Sequence, residues 1–172
     1  MKILGVDPGC KRTGYALVEL PMLRLRSYGT VGHPRGLEEL IETSDVVVLE
    51  KPNLKRLYNK SLARRLGELE AARRLFQLAA ANLAYEELRA RAAKAGKRVV
   101  AIPGFTHGDE DPPTWKQQIT GYRRPSQADV RAAVRQWLGL GEFAEEDVVD
   151  ALGLVLAFLQ EEGALAEWPK SA

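Results

Sequence analysis

Four acidic residues stand where chemistry can use them. Asp7 closes the apolar run Ile3–Val6, and Glu50 closes the run Val46–Leu49. An acid at the end of a buried run has no stabilising role unless something cationic meets it. Asp147 and Asp150 are three apart in a stretch that is otherwise apolar from Val148 to Leu159, and on a helix that spacing puts both on one face. Carboxylates from two strand ends and one helix make an oxygen-only site, which suits Mg²⁺ or Mn²⁺ because hard cations take hard oxygen ligands. Two such ions about 4 Å apart would activate a water and stabilise the leaving oxygen of a phosphodiester. Each acid also has a plainer reading. Asp7 can start the Asp7-Pro8-Gly9 turn, and Glu50 can pair with Lys51 or an arginine. Asp147 and Asp150 can join Glu145 and Glu146 in complementing a helix dipole, a reading that suits Asp147 better than Asp150, which lies among Val149, Ala151 and Leu152. His107, Asp109 and Asp111 form a rival metal set, and Cys10 lacks a paired histidine that would make it a nucleophile.

The elements that must position these acids follow from hydrophobic spacing. Strands are expected over Lys2–Val6, Thr13–Glu19 and Leu23–Thr30, the last alternating Leu23, Leu25 and Ser27 against Arg24, Arg26 and Tyr28. A helix over Arg35–Glu42 precedes the near-continuous apolar run from Asp45 to Glu50, a pattern that suits a strand buried on both faces. A long amphipathic helix is expected from Lys60 to Ala95, with Leu62, Leu66, Leu69, Phe76, Leu83 and Leu88 on its apolar stripe and Gly96 as its stop. Its stripe is wide enough to serve both the sheet and a partner. A strand over Arg98–Ile102, a loop from Pro103 to Pro113 and helices near Thr114–Thr120, Ser126–Leu138 and Glu145–Glu162 complete the chain. Ser126 reads as an N-cap with Asp129 as its capping-box acid. The order is a mixed α/β layout whose first three strands can form an antiparallel meander.

Composition excludes several classes. With 45% hydrophobic and 28% charged residues among 172, the chain is neither disordered nor fibrous, and one domain spanning 1–172 is expected. One cysteine cannot form an internal disulfide, so nothing points to an oxidising compartment. The opening run, broken by Gly5 and Asp7, is too short and polar for a signal peptide, and no stretch reaches the roughly 18 apolar residues of a membrane span. A cytoplasmic protein with no membrane partner is expected. The net charge of +2 is unevenly spread: thirteen Lys/Arg against four Asp/Glu between Lys51 and Arg98, and five against one between Lys116 and Arg135. Such segregation makes a basic face on a nearly neutral protein, either a solvated helix surface or the footprint of a phosphate-backbone binder.

Taken together, these residues resemble the RuvC-type Holliday-junction resolvases of the RNase H-like superfamily. Ile3-Leu4-Gly5-Val6-Asp7-Pro8-Gly9 followed by Thr13-Gly14-Tyr15-Ala16 looks like the first motif of that family. Val47-Val48-Leu49-Glu50 looks like the second, Leu66-Gly67-Glu68 matches an element of the following helix, and Asp147-Val148-Val149-Asp150-Ala151-Leu152 looks like the last. The motifs span most of the chain in the right order, and the Asp-Pro-Gly…Thr-Gly-Tyr string is the most specific of them. The resemblance implies an RNase H-like α/β fold with a central mixed five-stranded sheet flanked by helices. It implies Asp7, Glu50, Asp147 and Asp150 as the catalytic metal ligands, holding Mg²⁺ or Mn²⁺ at two ions per site, and Lys116 as the basic residue near the scissile phosphate. It further implies a homodimer, with the long helix as the natural interface, acting on a four-way DNA junction. Arg12, Lys51, Lys55, Arg56, Tyr58, Lys60, Lys116, Arg123 and Arg124 are the candidate DNA contacts.

The chain departs from the family pattern at three places. The family aromatic shortly after the glutamate is absent from Lys51-Pro52-Asn53-Leu54, which leaves Tyr58 or Leu54 to wedge opened bases. A second family lysine falls at Gln127, so Arg123 and Arg124 would supply its charge. The loop from Phe105 to Pro113 is longer than usual. Competing readings are an RNase H-like nuclease acting on forks, flaps or RNA–DNA hybrids, a junction-binding protein with a weakened centre, and a fragment of an actin-like sugar kinase. The sequence leaves open a cellular or phage origin (and hence a host's cytoplasm), the preferred cleavage sequence and any branch-migration partner.

Overall fold

Alternation along two strands decides which way the acids point. In a computed structural model of the protein, which describes residues 1–52, 67–104, 113–139 and 145–165, β1 (Lys2–Asp7) and β4 (Val46–Lys51) are buried on both faces. Ile3, Val46 and Val48 belong to the core on one side of the sheet, whereas Leu4, Val6, Val47 and Leu49 belong to the core on the other. Because side chains alternate with a period of two, Asp7 follows Ile3 and Gly5 onto the first face, and Glu50 follows Val46 and Val48. The two strands are parallel neighbours, with Val6 opposite Leu49. Continuing that register sets Asp7 beside Glu50.

The expected five-stranded mixed sheet is present, in the order β3-β2-β1-β4-β5. Here β2 is Thr13–Glu19, β3 is Arg24–Val31 and β5 is Arg98–Pro103. The first three strands form the expected antiparallel meander, while β1–β4 and β4–β5 are parallel. On β3, Arg24, Arg26 and Tyr28 face solvent as their alternation requires. The expected helix over 35–42 divides into a 3-10 turn, Pro34–Leu37, and a short α1, Glu38–Thr43. His33 caps the turn with its Nδ1, and Pro34 suits its first position.

Helices cover both faces of the sheet. On one side lie α1 and the long α2 (Glu68–Lys94); on the other lie α3 (Trp115–Thr120), α4 (Gln127–Leu138) and α5 (Glu146–Glu161). The predicted Ser126–Asp129 capping box starts α4, and Thr114 and Gln117 form another at α3. The α5 helix is buried all round from Val148 to Leu159, because the sheet covers one side and α3 and α4 the other. At full burial each large apolar side chain contributes about 1.5–3 kcal/mol, so this helix is the main anchor of that layer.

The α2 helix corrects one expectation. Its sheet-facing contacts come from Tyr85, Leu88 and Ala92 near the C-terminal end, whereas Leu69, Phe76 and Leu83 are 87%, 75% and 72% exposed. These three are seven residues apart and share one face. The sheet does not cover them because they point away from it. At about 100° per residue their face lies opposite that of Tyr85, Leu88 and Ala92, so Leu88 does not share their stripe, contrary to expectation. The helix stops at Ala95, with Gly96 at φ +70° as the expected terminator. Residues 60–66, expected to begin this helix, lie outside the described residues, as does the rival set His107, Asp109 and Asp111.

Candidate metal centre

Three carboxylates converge at the carboxyl ends of the parallel strands. Asp7, Glu50 and Asp150 each offer an oxygen within 4.8 Å of the others. Asp7 and Glu50 arrive by strand parity and register. Asp150 arrives because α5 lies directly on the sheet: a Cβ at Gly5 would overlap the Ala151 carbonyl, and one at Gly14 would overlap the Asp147 backbone. Glycine in these strands permits a backbone approach that any side chain would block. Glu50 needs a third glycine, since a Cβ at Gly104 would overlap its Oε1.

A partly buried network surrounds the acids. Lys116 Nζ lies 2.9 Å from Asp150 Oδ2 and donates to Gln127 Oε1 at 3.4 Å, while Gln127 Nε2 donates to Asp150 Oδ1 at 2.8 Å. The Trp115 indole Nε1 donates to Glu50 Oε2 at 3.3 Å, and Lys116 Nζ lies 4.8 Å from the centre of the same tryptophan's ring. Sequence reasoning assigned no role to Trp115 or Gly104, and treated Gln127 only as the place of a missing lysine. Their contacts to Glu50 and Asp150 join distant parts of the chain, so no local spacing signals them.

The electrostatics are strained in the way a cation would relieve. Burial, then the charges of Glu50, Asp150 and Asp147, hold the Asp7 carboxyl well above its usual range, with Lys116 opposing. Glu50 is pushed up to about 7, mainly by burial; Lys116 and the Trp115 hydrogen bond oppose the rise, and Asp150 adds to it. Three clustered carboxylates face one lysine, which leaves two negative charges uncompensated when all are ionised. The donor set is all oxygen and the charge deficit is that of a divalent cation, so these residues fit a hard metal ion.

The other sequence candidates fall into three groups. Asp147, one turn before Asp150, is ion-paired with Arg12 at an angle outside hydrogen-bond geometry, and its buried Oδ2 has no hydrogen-bond partner. Its charge still acts on Asp7, but it is not among the three converging acids. Lys51, Arg123 and Arg124 are exposed, and the Arg123 carbonyl accepts from Gln117 Nε2. Lys55, Arg56, Tyr58 and Lys60 lie outside the described residues. Cys10 is an exposed free thiol, and no helix among the described residues is long and apolar enough to cross a membrane.

No family model matches the chain. It is 31% identical over 162 residues to the crossover junction endodeoxyribonuclease RuvC of Halothermothrix orenii, covering 90% of this chain and 89% of that one. The same-named proteins of Thermomicrobium roseum and Akkermansia muciniphila are 30% identical over 177 residues and 29% over 163, covering 93% and 92% of this chain and 93% and 90% of theirs. Among solved structures, Thermus thermophilus RuvC in complex with its Holliday junction substrate superposes with a TM-score of 0.65 at 20% identity, over 98% of this chain and 99% of that one. That likeness shows the fold, an RNase H-like mixed sheet with flanking helices. With the curated relatives at this identity and coverage, the chain belongs to the RuvC family of crossover junction endodeoxyribonucleases.

Proposed function

We propose that this chain resolves four-way DNA junctions by symmetric, metal-dependent hydrolysis of phosphodiester bonds. The observation that carries the reading is the convergence of Asp7, Glu50 and Asp150 within 4.8 Å, with Lys116 at 2.9 Å from Asp150. These three acids are the ligands we assign to Mg²⁺ or Mn²⁺, at two ions per site, and Asp147 would join them on release from Arg12. Bound there, such ions supply an activated water and charge stabilisation of the leaving oxygen. The chain's own residues set the frame for that chemistry. Asp7 and Glu50 are held on rigid strands, Asp150 on a fully packed helix, and the Lys116 ammonium can shift from Asp150 to offset charge building on the phosphate.

DNA would approach over the carboxyl ends of β1, β4 and β5. Arg12, Lys51, Lys116, Arg123 and Arg124 supply phosphate contacts in this reading, and Lys55, Arg56, Tyr58 and Lys60 continue the segment that begins at Lys51. Phosphate contacts orient the nucleic acid, while junction shape and deformability select it. A junction has two equivalent strands to cut, so a two-fold pair of sites is the economical arrangement. We assign the exposed Leu69, Phe76 and Leu83 face of α2 to that homodimer. The 172 residues would act as one nuclease domain, in the cytoplasm of the cell or of a phage-infected host.

The test is cleavage of a labelled immobile junction beside linear duplex, a fork and an RNA–DNA hybrid, with Mg²⁺, Mn²⁺ or chelator. Paired nicks confined to the junction and dependent on metal are expected. Asp7→Asn and Asp150→Asn should keep junction binding and cut at least about 100-fold more slowly, because each removes charge from the ligand set and leaves the basic face intact. Either variant cutting near the wild-type rate would refute the ligand assignment. Equal cutting of forks or hybrids would refute junction selectivity.

A further inference from the structure

Two uncharged donors stand behind the carboxylates. Trp115 opens α3 immediately after the Thr114 capping box, and its ring is fully buried. The ring packs where Gly153 leaves room on α5, since a Cβ there would overlap it. Fixed in this way, the indole N–H reaches Glu50 Oε2 at 3.3 Å while the ring face lies under the Lys116 ammonium. Gln127 opens α4 immediately after Ser126, whose box with Asp129 sets the first turn. Its amide donates to Asp150 Oδ1 and accepts from Lys116 Nζ, which in turn contacts Asp150 Oδ2. Gln127, Lys116 and Asp150 therefore close a triangle. Only a side chain that both donates and accepts can complete it; a lysine at 127 would donate to Asp150 but set a second cation against Lys116.

We propose that Trp115 and Gln127 are positioning residues of the metal centre, neutral N–H donors that fix Glu50 and Asp150 in place without neutralising them. The inference rests on the metal-centre reading of Asp7, Glu50 and Asp150. Its physical basis is a division of labour. A cationic donor would orient a carboxylate equally well but would subtract from the negative charge that attracts a divalent ion. An amide and an indole orient the same oxygens and leave that charge in place. Each also shortens the search of a carboxylate among rotamers before a ligand binds, so affinity is lost when the donor is removed even if the fold is not.

The test reads metal binding directly, without turnover. Free Mn²⁺ is followed by electron paramagnetic resonance in titrations of the metal-free wild-type, Trp115→Phe, Gln127→Leu, Gln127→Lys and Asp7→Asn proteins. Phenylalanine keeps an aromatic ring at 115 while removing the indole N–H, and Gln127 is only half-buried, so Gln127→Leu remains informative if Trp115→Phe is unstable. Both Trp115→Phe and Gln127→Leu should weaken Mn²⁺ binding about tenfold, and Gln127→Lys should weaken it at least as much through added charge. In the wild-type protein the indole N–H resonance that Trp115→Phe deletes should move on adding Mg²⁺ and move again in Glu50→Gln. Wild-type affinity in both donor variants, with an indole resonance indifferent to Mg²⁺, would overturn the proposal and leave Trp115 as packing alone. Failure of the underlying reading looks different: the wild-type protein itself would bind Mn²⁺ no better than Asp7→Asn, which would overturn both.

Discussion

Replacing Glu50 by glutamine should stabilise the metal-free protein, and only above acid pH. Burial and neighbouring Asp150 raise the Glu50 carboxyl from 4.5 to about 7 in the folded chain. Below the unfolded value both states hold the proton and nothing is lost. Between 4.5 and about 7 the unfolded chain releases the proton while the folded chain keeps it, so stability falls as pH rises. Above about 7 both states are ionised and the penalty is constant. At about 1.4 kcal/mol per pH unit the penalty reaches ~3 kcal/mol. Glutamine avoids the ionic part, keeps an oxygen for the Trp115 indole, and incurs about 1 kcal/mol for burying an amide. The expected gain is therefore about 2 kcal/mol near pH 8, and near pH 4, where no ionic penalty exists, the variant should be about 1 kcal/mol less stable than wild type, measured by urea denaturation in chelator. Mg²⁺ at about 100 times its dissociation constant should add about 2.7 kcal/mol to the wild-type protein and far less to the variant, reversing their order. A variant no more stable than wild type near pH 8, or one equally stabilised at both pH values, would refute the argument that burying the ionised Glu50 carboxylate costs the metal-free fold stability.

Three further outcomes follow from the same geometry. Lys116→Ala should slow single-turnover cleavage more than it weakens junction binding, by about 10–100-fold against a few-fold, as expected of a group that acts on developing charge; equal losses in both would assign it to binding alone. Phe76→Glu, on the exposed face of α2, should turn the proposed homodimer into a folded monomer in sedimentation analysis while leaving thermal unfolding within about 0.5 kcal/mol of a monomeric reference; an unchanged dimer would place the interface elsewhere, and a monomeric wild-type chain would refute the dimer itself. Gly104→Ala should force Glu50 Oε1 to move, costing about 1–3 kcal/mol of stability or an equivalent loss of metal-dependent cutting, while junction binding persists.

Much of this site is legible in the linear chain because strand parity is local. The apolar runs ending at Asp7 and Glu50 predict two buried strands with an acid closing each, but that both acids lie on the side of Ile3 and Val48 depends on the parallel pairing of the two strands, which only the structure supplies. The capping box at Ser126 and the stop at Gly96 are equally local, since each is decided by groups within a turn. The Asp147…Asp150 spacing predicts a shared helical face but leaves the pair undivided. Only packing separates them: α5 rests on Gly5 and Gly14 at one rotation, which turns Asp150 into the cluster and gives Asp147 to Arg12.

The long helix shows the same boundary. Its leucine spacing announces an amphipathic element, yet the sheet is met by Tyr85, Leu88 and Ala92, and the stripe from Leu69 to Leu83 stays open because it lies on the opposite face of the helix. Trp115 and Gln127 mark the far side of that boundary. Their contacts with Glu50 and Asp150 span 65 and 23 residues, and no periodicity relates positions so far apart. Sequence alone determined which residues are acidic, that Asp7 and Glu50 close buried strands and that Asp147 and Asp150 share a helical face, because those follow from backbone geometry within a few residues. The tertiary structure decided which acids meet and which neutral groups hold them, because those depend on how helices settle on a sheet, and that is set by where glycines leave room.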